Sequence, residues 1–258
     1  MSSCFTEGQA QRYARQLILP GIGSKGQQRL LDSSVLIVGV GGLGSPCALY
    51  LAAAGVGRIG LLDRDSVELS NLHRQILHNT GDLGRSKTQS GRETLERLNP
   101  DVTVISLHQR IEPDNAFATI AGYEIIVDGS DNFPTKFLLN DACVLSRKPL
   151  VHAGVSQFEG QVTTILPTRG PCYRCVFPDP PPPCLIPTCQ EAGILGVLPG
   201  VIGAIQATEV IKYLLGLGDL LVGRMLVYNA LQMSFREVPL PRDPDCPLCG
   251  EKPTIRGL

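Results

Sequence analysis

The sequence predicts an α/β fold: a doubly wound, mainly parallel sheet extended by antiparallel strands. Three observations predict it. Val35-Leu-Ile-Val-Gly reads as a buried strand that runs straight into Gly39-x-Gly41-x-x-Gly44, and Leu43 to Gly55 then reads as a helix. From there to Val155, short apolar runs alternate with helical runs, the pattern of repeated strand–helix–strand units. Polar groups at Gly39–Gly44, Asp63 and Asp131 all fall just beyond the C-terminal ends of expected strands. In an open parallel sheet that edge is where ligands sit.

The glycine stretch has a physical reading. Without Cβ atoms the backbone turns sharply and lets an anion approach its N–H groups. The following helix adds unpaired donors and a positive dipole end. The strand Arg58-Ile-Gly-Leu-Leu-Asp63 ends in an acid 24 positions after Gly39, placed to accept hydrogen bonds from a ribose. Such a Rossmann-like unit implies a nucleotide. It leaves open a redox cofactor, ATP, or a tight turn with no ligand.

Composition narrows the class. The 258 residues are long enough for a sizeable core, in one large α/β domain or two small ones. Hydrophobic content is 43% and the formal net charge is −1, which gives no basis for a nucleic-acid or anionic-membrane surface. The N-terminus lacks the apolar core of a signal peptide, and Ile194 to Ala207, with Pro199 and three glycines, is too short to span a bilayer. A cytoplasmic protein is expected. Nine cysteines is an odd number, which argues against a disulfide framework.

In chain order, Gln9 to Leu19 reads as a helix with Tyr13, Leu17 and Ile18 as its apolar stripe. Arg12 and Arg15 fall close together on it and alone would read as a solvated basic face. Ser24 to Leu31 is a second short helix. After Asp63 a polar stretch holds Asp65, Ser70, Asn71 and Arg74, and Gly84-Arg-Ser-Lys87 opens an amphipathic helix ending at Asn99-Pro100. Val102 to Leu107 is a strand, Pro113 to Ala121 a helix, and Glu124 to Asp128 a buried strand leading into Gly129-Ser-Asp131-Asn132. A helix to Arg147 and a strand from Pro149 to Val155 complete the series. Beyond Glu159, Gln161 to Leu166 reads as a strand. Phe177 to Thr188 holds six prolines and must be an extended crossing loop. Ile194 to Gly216 is an apolar helix suited to burial or to a second subunit. Strands at Arg224 to Asn229 and Met233 to Val238 close the series.

Cys172-x-x-Cys175 and Cys246-x-x-Cys249 are the most specific local signal. Four thiolates from two such knuckles can converge on one tetrahedral zinc ion and leave no open position, which indicates a structural site. Two redox disulfides or plain buried thiols are the alternatives.

Taken together, Arg12-Tyr-Ala-Arg15-Gln, Gly39-Val-Gly-Gly-Leu-Gly44, Leu62-Asp-x-Asp65, Ser70-Asn-Leu-His-Arg74-Gln, Gly84-x-x-Lys87, Ser130-Asp-Asn132, the paired cysteine knuckles and Thr188-Cys-Gln-Glu-Ala-Gly193 resemble the ThiF/MoeB family of ubiquitin-activating-enzyme-like adenylyltransferases. The resemblance covers about Arg12 to Gly250. It implies a reaction in which the C-terminal carboxylate of a small ubiquitin-fold sulfur carrier, ending in Gly-Gly, attacks the α-phosphate of ATP. By the same resemblance Gly39, Gly41, Gly42 and Gly44 face the nucleotide and Asp63 the ribose. Ser70, Asn71, Arg74 and Lys87 hold the phosphates, and Asp131 beside Asn132 holds Mg²⁺. Arg15 reaches the phosphates of the neighbouring subunit in a homodimer. Cys189 sits where some members carry a cysteine that captures the activated acyl group or sulfur; a small buried thiol is the other reading, and Cys184 is a second candidate. Cys4, Cys47 and Cys143 read as ordinary thiols, and His73, His78, His108 and His152 show no ligand spacing.

The expected architecture is a single adenylation domain over 1–258, with a nucleotide half at about 33–155 and a carrier, dimer and zinc half at about 156–258. The sulfur donor is expected to be a separate sulfurtransferase or cysteine desulfurase. The carrier itself stays open between molybdopterin, thiamine and tRNA thiolation, with a lean toward the molybdopterin type. An NAD-dependent oxidoreductase would share the glycine loop and Asp63, but would leave Arg74, Lys87, Asp131 and the cysteine pairs unexplained. A non-catalytic scaffold for a ubiquitin-fold partner would have lost the phosphate-handling set.

Overall fold

The computed structural model describes residues 5–181 and 192–258, so Cys4, Cys184 and Cys189 lie outside the described residues. Eight strands form one sheet: β1 (Ser34–Val38), β2 (Arg58–Leu62), β3 (Thr103–Leu107), β4 (Ile125–Asp128), β5 (Leu150–Ser156), β6 (Glu159–Ile165), β7 (Arg224–Asn229) and β8 (Ser234–Pro239). Their order is β3-β2-β1-β4-β5-β6-β7-β8. The first five run parallel, and β6 to β8 add on antiparallel. The change of direction follows from the connections. Parallel neighbours need long crossovers, whereas β5 and β6 are joined by Gln157 and Phe158 alone, with Gln157 at φ 48°.

Helices α1 (Glu7–Arg12), α2 (Ala14–Leu17) and α3 (Gly23–Leu31) precede the sheet. The single helix expected from Gln9 to Leu19 is broken at Tyr13, whose ring is buried and whose backbone leaves the helical region (φ −97°, ψ 11°). Ile18, expected on the apolar stripe, is 72% exposed, because α2 ends at Leu17 and Ile18 caps it from outside the helix. Thereafter come α4 (Gly44–Ala54), α5 (Lys87–Leu98), α6 (Ala116–Ala121), α7 (Phe133–Leu145), α8 (Tyr173–Val176) and α9 (Leu198–Leu215).

The sheet is covered on both faces, and the side-chain alternation of a strand divides the core. Val35 and Ile37 join Cys47, Leu51, Ile202 and Val210 on one side; Leu36 and Val38 join Ile120, Ile126, Phe137 and Cys172 on the other. This is the doubly wound arrangement expected from the sequence.

Helix α9 is long and apolar enough, by length and composition, to cross a membrane, yet half of it is buried inside the fold. Leu198, Ile202, Val210 and Leu214 pack into the main core, and Gln206 Nε2 donates to the carbonyls of Asp128 (2.8 Å) and Val151 (3.2 Å). It is a core helix. Its close crossing over the start of α4 requires Gly203, because a Cβ there would lie 2.4 Å from the Leu43 carbonyl oxygen. Gly203→Ala is therefore expected to lower stability by about 1–3 kcal/mol through overpacking. Urea unfolding measures this, and an unchanged midpoint would mean that α9 can shift without cost.

Candidate functional site

Strand β1 lies between β2, reached through α4, and β4, reached by crossing to the other side. That reversal opens a crevice at the C-terminal ends of β1 and β4. The loops leaving these strands touch backbone to backbone. Gly39 has φ +91°, and a Cβ on it would lie 2.6 Å from the Gly129 carbonyl oxygen; a Cβ on Gly129 would lie 2.6 Å from that of Gly39. A Cβ on Gly44 would meet the Gly39 oxygen at 2.0 Å. The glycines thus seat the start of α4 against the end of β1. Asp63 secures the loop further, with Oδ2 accepting from Val40 N (2.8 Å) and Oδ1 from Asp65 N (2.9 Å).

The polar stretch after β2 folds back over this loop. A short 3₁₀ turn, Leu69–Asn71, is closed by Asn71 Oδ1 accepting from Glu68 N at 3.2 Å. Arg74 donates to the Ser70 carbonyl (2.9 Å), and its Cδ lies 3.7 Å from where a Gly42 Cβ would stand. Lys87 opens α5 and is only 6% exposed, with Nζ 3.1 Å from Asp65 Oδ2. Gly39–Gly44, Asp63, Ser70, Asn71, Arg74 and Lys87 are thereby tied together by direct contacts. Asp131 is exposed in the Gly129 loop on the opposite wall. The cap of α7 is Asn132, whose Oδ1 accepts from Thr135 N at 3.0 Å. That leaves the Asp131 carboxylate outside the cap.

Sequence reasoning passed over the group that shapes this wall. Asp128, fully buried at the end of β4, holds Ser130 N (3.0 Å) and Ser130 Oγ (2.5 Å) through Oδ1. Its Oδ2 faces Lys136 Nζ at 3.0 Å, and His152 Nδ1 lies 2.8 Å away without hydrogen-bond alignment. Burial alone would raise this carboxyl, but Lys136, His152 and Ser130 together hold it far below the ordinary range. The available signal was an acid closing an apolar strand; Lys136 and His152 come from separate elements and share no spacing with it.

Arg15 is not part of this assembly. Helices α1 and α2 pack at the far end of α4, where Gln16 Nε2 donates to the Ala54 carbonyl (3.0 Å) and Tyr13 shares hydrogen bonds with Asn99 (2.9 Å) and Asp101 (3.4 Å). The glycine loop sits at the other end of that 11-residue helix, whose axis spans roughly 16 Å. Arg15 is exposed there.

The four knuckle cysteines do converge. Their sulfurs all lie within 4.8 Å of one another, with Cys172–Cys246 at 3.6 Å and Cys175–Cys249 at 3.4 Å, and none is in a disulfide. Tetrahedral zinc with bonds of roughly 2.3 Å separates its sulfurs by about 3.8 Å, so the donor set fits that ion. A hydrogen bond from Cys172 pulls the Cys249 thiol down, and the same bond pushes Cys172 up. The first knuckle is anchored to α7, with Tyr173 N donating to Asn140 Oδ1 (2.8 Å) and Arg174 paired with Asp141 (2.7 Å). Cys47 and Cys143 are fully buried with thiols raised by burial, as ordinary core cysteines are.

The sequence model of the ThiF family matches residues 13–248. The chain is 49% identical over 259 residues to a sulfur carrier protein adenylyltransferase of Thermus thermophilus, covering 98% of this chain and 96% of that one. It is 50% identical over 248 residues to an adenylyltransferase and sulfurtransferase MOCS3 of Aedes aegypti, covering 96% of this chain but 57% of the relative. Among solved structures, E. coli MccB with succinimide superposes with a TM-score of 0.81 at 24% identity, over 96% of this chain and 75% of that one, a likeness of fold.

The buried charges predict an acid-sensitive fold. Burial lowers the pKa of His78 and of His152. Below about pH 6.5 the unfolded chain takes up these protons first, so stability falls as pH drops through that value. Asp128, depressed in the fold, adds a second loss only below about pH 4. Melting temperatures between pH 7.5 and 5 should therefore decline, and His152→Asn should flatten that limb. An equal slope in the variant would show that His152 does not contribute.

Proposed function

The chain belongs to the ThiF family, and on that premise we propose that it adenylates the C-terminal carboxylate of a small ubiquitin-fold sulfur carrier ending in Gly-Gly. The observation that supports this most is the convergence of the glycine loop, Asp63, Arg74 and Lys87 on one wall of a crevice whose other wall bears Asp131. An oxidoreductase reading leaves Arg74, Lys87 and Asp131 without a role.

The carboxylate oxygen attacks the α-phosphorus, the new C–O–P bond forms, and the bond to the β-phosphate oxygen breaks to release pyrophosphate. No proton moves, because a terminal carboxyl with a pKa of about 3.5 is ionised at neutral pH. Both reactants are anions, so the barrier is chiefly repulsion, and fixed cations in a shielded pocket lower it. Lys87 is nearly buried and held by Asp65, which fixes its ammonium before the nucleotide arrives. Arg74 lies against the loop at Gly42, and Ser70 and Asn71 supply polar groups beside it. Asp131 is a hard oxygen donor suited to Mg²⁺, with Asn132 next to it; the ion supplies neutralisation of phosphate charge when bound. The Cys172, Cys175, Cys246 and Cys249 thiolates suit a structural Zn²⁺. Cys189 is proposed from the family pattern alone as the thiol that captures the activated acyl group or sulfur.

The two halves of the chain act as one adenylation unit in this reading. At the antiparallel end of the sheet, Leu231, Met233 and Phe235 are 69%, 76% and 52% exposed, an apolar surface suited to a carrier protein. A sulfurtransferase or cysteine desulfurase partner supplies the sulfur. Since Arg15 is remote from its own loop, it serves the site of a second subunit in a homodimer. The exposed groove between α4 and α9, lined by Tyr50, Ala53, Thr208 and Ile211, is continuous with Gln16 on the Arg15 helix and supplies apolar contact for that pairing.

Carrier-dependent pyrophosphate exchange tests the chemistry. Asp131→Ala and Arg15→Ala should each lower exchange more than about a hundredfold. Mixed and re-paired, the two variants form heterodimers with one doubly damaged and one intact site, so about a quarter of wild-type activity should return. Exchange near wild type in Asp131→Ala would remove that residue from the mechanism, and no recovery in the mixture would place Arg15 in its own subunit's site.

Elemental analysis should find one zinc per chain, an expectation that follows from the four-sulfur donor set. Cys246→Ser should then cost melting temperature more than exchange rate, because the site is closed and tied to α7. Metal-free protein with an unaltered melting temperature would rule out the structural ion.

A further inference from the structure

His78 has no ligand spacing in the sequence, and the adenylation chemistry gives it no task. The fold nevertheless buries it beside the glycine loop, 6% exposed. Its Nε2 lies 3.1 Å from the Val40 carbonyl oxygen and its Nδ1 2.8 Å from Ser90 Oγ on α5. A carbonyl only accepts, so Nε2 carries a proton whatever the state of Nδ1. The other side of the same residue is held as well, because Val40 N donates to Asp63 Oδ2 at 2.8 Å. Val40 is therefore clamped at both its amide and its carbonyl.

The clamp has a consequence one atom further on. The Val40 carbonyl and the Gly41 N–H belong to one peptide unit, and the chain has no cis bond among the described residues. In a trans peptide the two groups point in opposite directions. Turning the carbonyl to His78 turns the Gly41 N–H away from His78, and no backbone carbonyl among the described residues accepts from it. Gly41 has no side chain of its own to cover that amide; the buried Gln75 amide lies 3.4 Å from where a Cβ would stand, and Arg74 stands next to the loop at Gly42.

We propose that His78 is a positioning residue: by fixing the Val40 carbonyl it aims the Gly41 N–H at the phosphates of the bound nucleotide. Without it the 40–41 peptide is free to rotate, and an anion bound there must first select the right orientation. The proposal rests on the adenylation reading for the identity of the nucleotide. It differs from a packing role in one respect: it concerns only the phosphate end of the ligand.

Calorimetric titration with Mg²⁺–ATP and, separately, with adenosine distinguishes these roles. His78→Leu keeps the bulk and removes the donor; His78→Gln restores a donor at a similar reach. His78→Leu should weaken ATP binding about ten- to a hundredfold, the worth of a hydrogen bond to a charged group, with adenosine binding unchanged. His78→Gln should bind ATP nearly as wild type does. Equal ATP affinity in His78→Leu, or equal loss of both ligands, overturns the positioning role. If His78→Leu does not fold, the wild-type Gly41 amide resonance decides: it should shift with ATP and not with adenosine, and no shift with ATP overturns the role. Wild-type protein that binds no ATP fails the adenylation reading and this inference together, whereas normal wild-type binding with an unaffected His78→Leu fails this inference alone.

Discussion

Two strand-end loops approach more closely than any side chain allows, and the site depends on that contact. Gly39 and Gly129 face each other with room for neither to carry a Cβ. The approach fixes the distance between the loop that begins α4 and the loop that carries Asp131. It also sets a demand on the second loop, which must hold its shape against the first. Asp128 meets that demand through Ser130, and the buried Lys136 keeps its charge compensated, with the His152 ring beside it. An isolated carboxylate at that depth would be too costly to retain, so the ion cluster is a condition of the loop's geometry rather than an added source of stability.

The same economy of contacts links elements that are distant in the chain. Gln206 of α9 bonds the Asp128 carbonyl, and Gly203 lets that helix lie on the start of α4. The helix that covers one core therefore also touches both walls of the crevice. On the other face, α7 leaves the Asp131 loop through its Asn132 cap and is gripped at Asn140 and Asp141 by the first cysteine knuckle. The cysteine cluster then joins Cys246 and Cys249, near the end of the chain, to that grip. The four-cysteine cluster thus braces the helix that follows Asp131, the acid assigned to Mg²⁺ in the proposed mechanism.

The electrostatics agree with a reaction between anions. The molecule as a whole is close to neutral at −1, so no long-range field gathers phosphates. In the proposed mechanism local placement does the work instead: Lys87 is buried against Asp65, and Arg74 lies beside the glycine loop at Gly42. The Lys87 side chain is 7% exposed, and a charge so placed acts more strongly than one on an open surface.

The sequence alone determined the sheet's parallel half, the glycine loop, the acid at Asp63 and the two cysteine pairs. These are local signals: periodicity, glycine spacing and a two-residue cysteine interval express constraints within one turn or one strand. The family motifs also pointed to Arg74, Lys87 and Asp131 as site residues. The break at Tyr13 escaped, because a buried hydroxyl reaching Asn99 and Asp101 overrode the helical pattern around it. Asp128, Lys136 and His152 escaped for a related reason, since three elements bring them together and none announces the others. The distance of Arg15 from its own loop, which the family resemblance implied by assigning it to a neighbouring subunit, and the contact of His78 with Val40 took their geometry from tertiary structure. Both are matters of which ends of helices and strands meet in space, and pairwise burial between remote segments leaves no periodic mark on the chain.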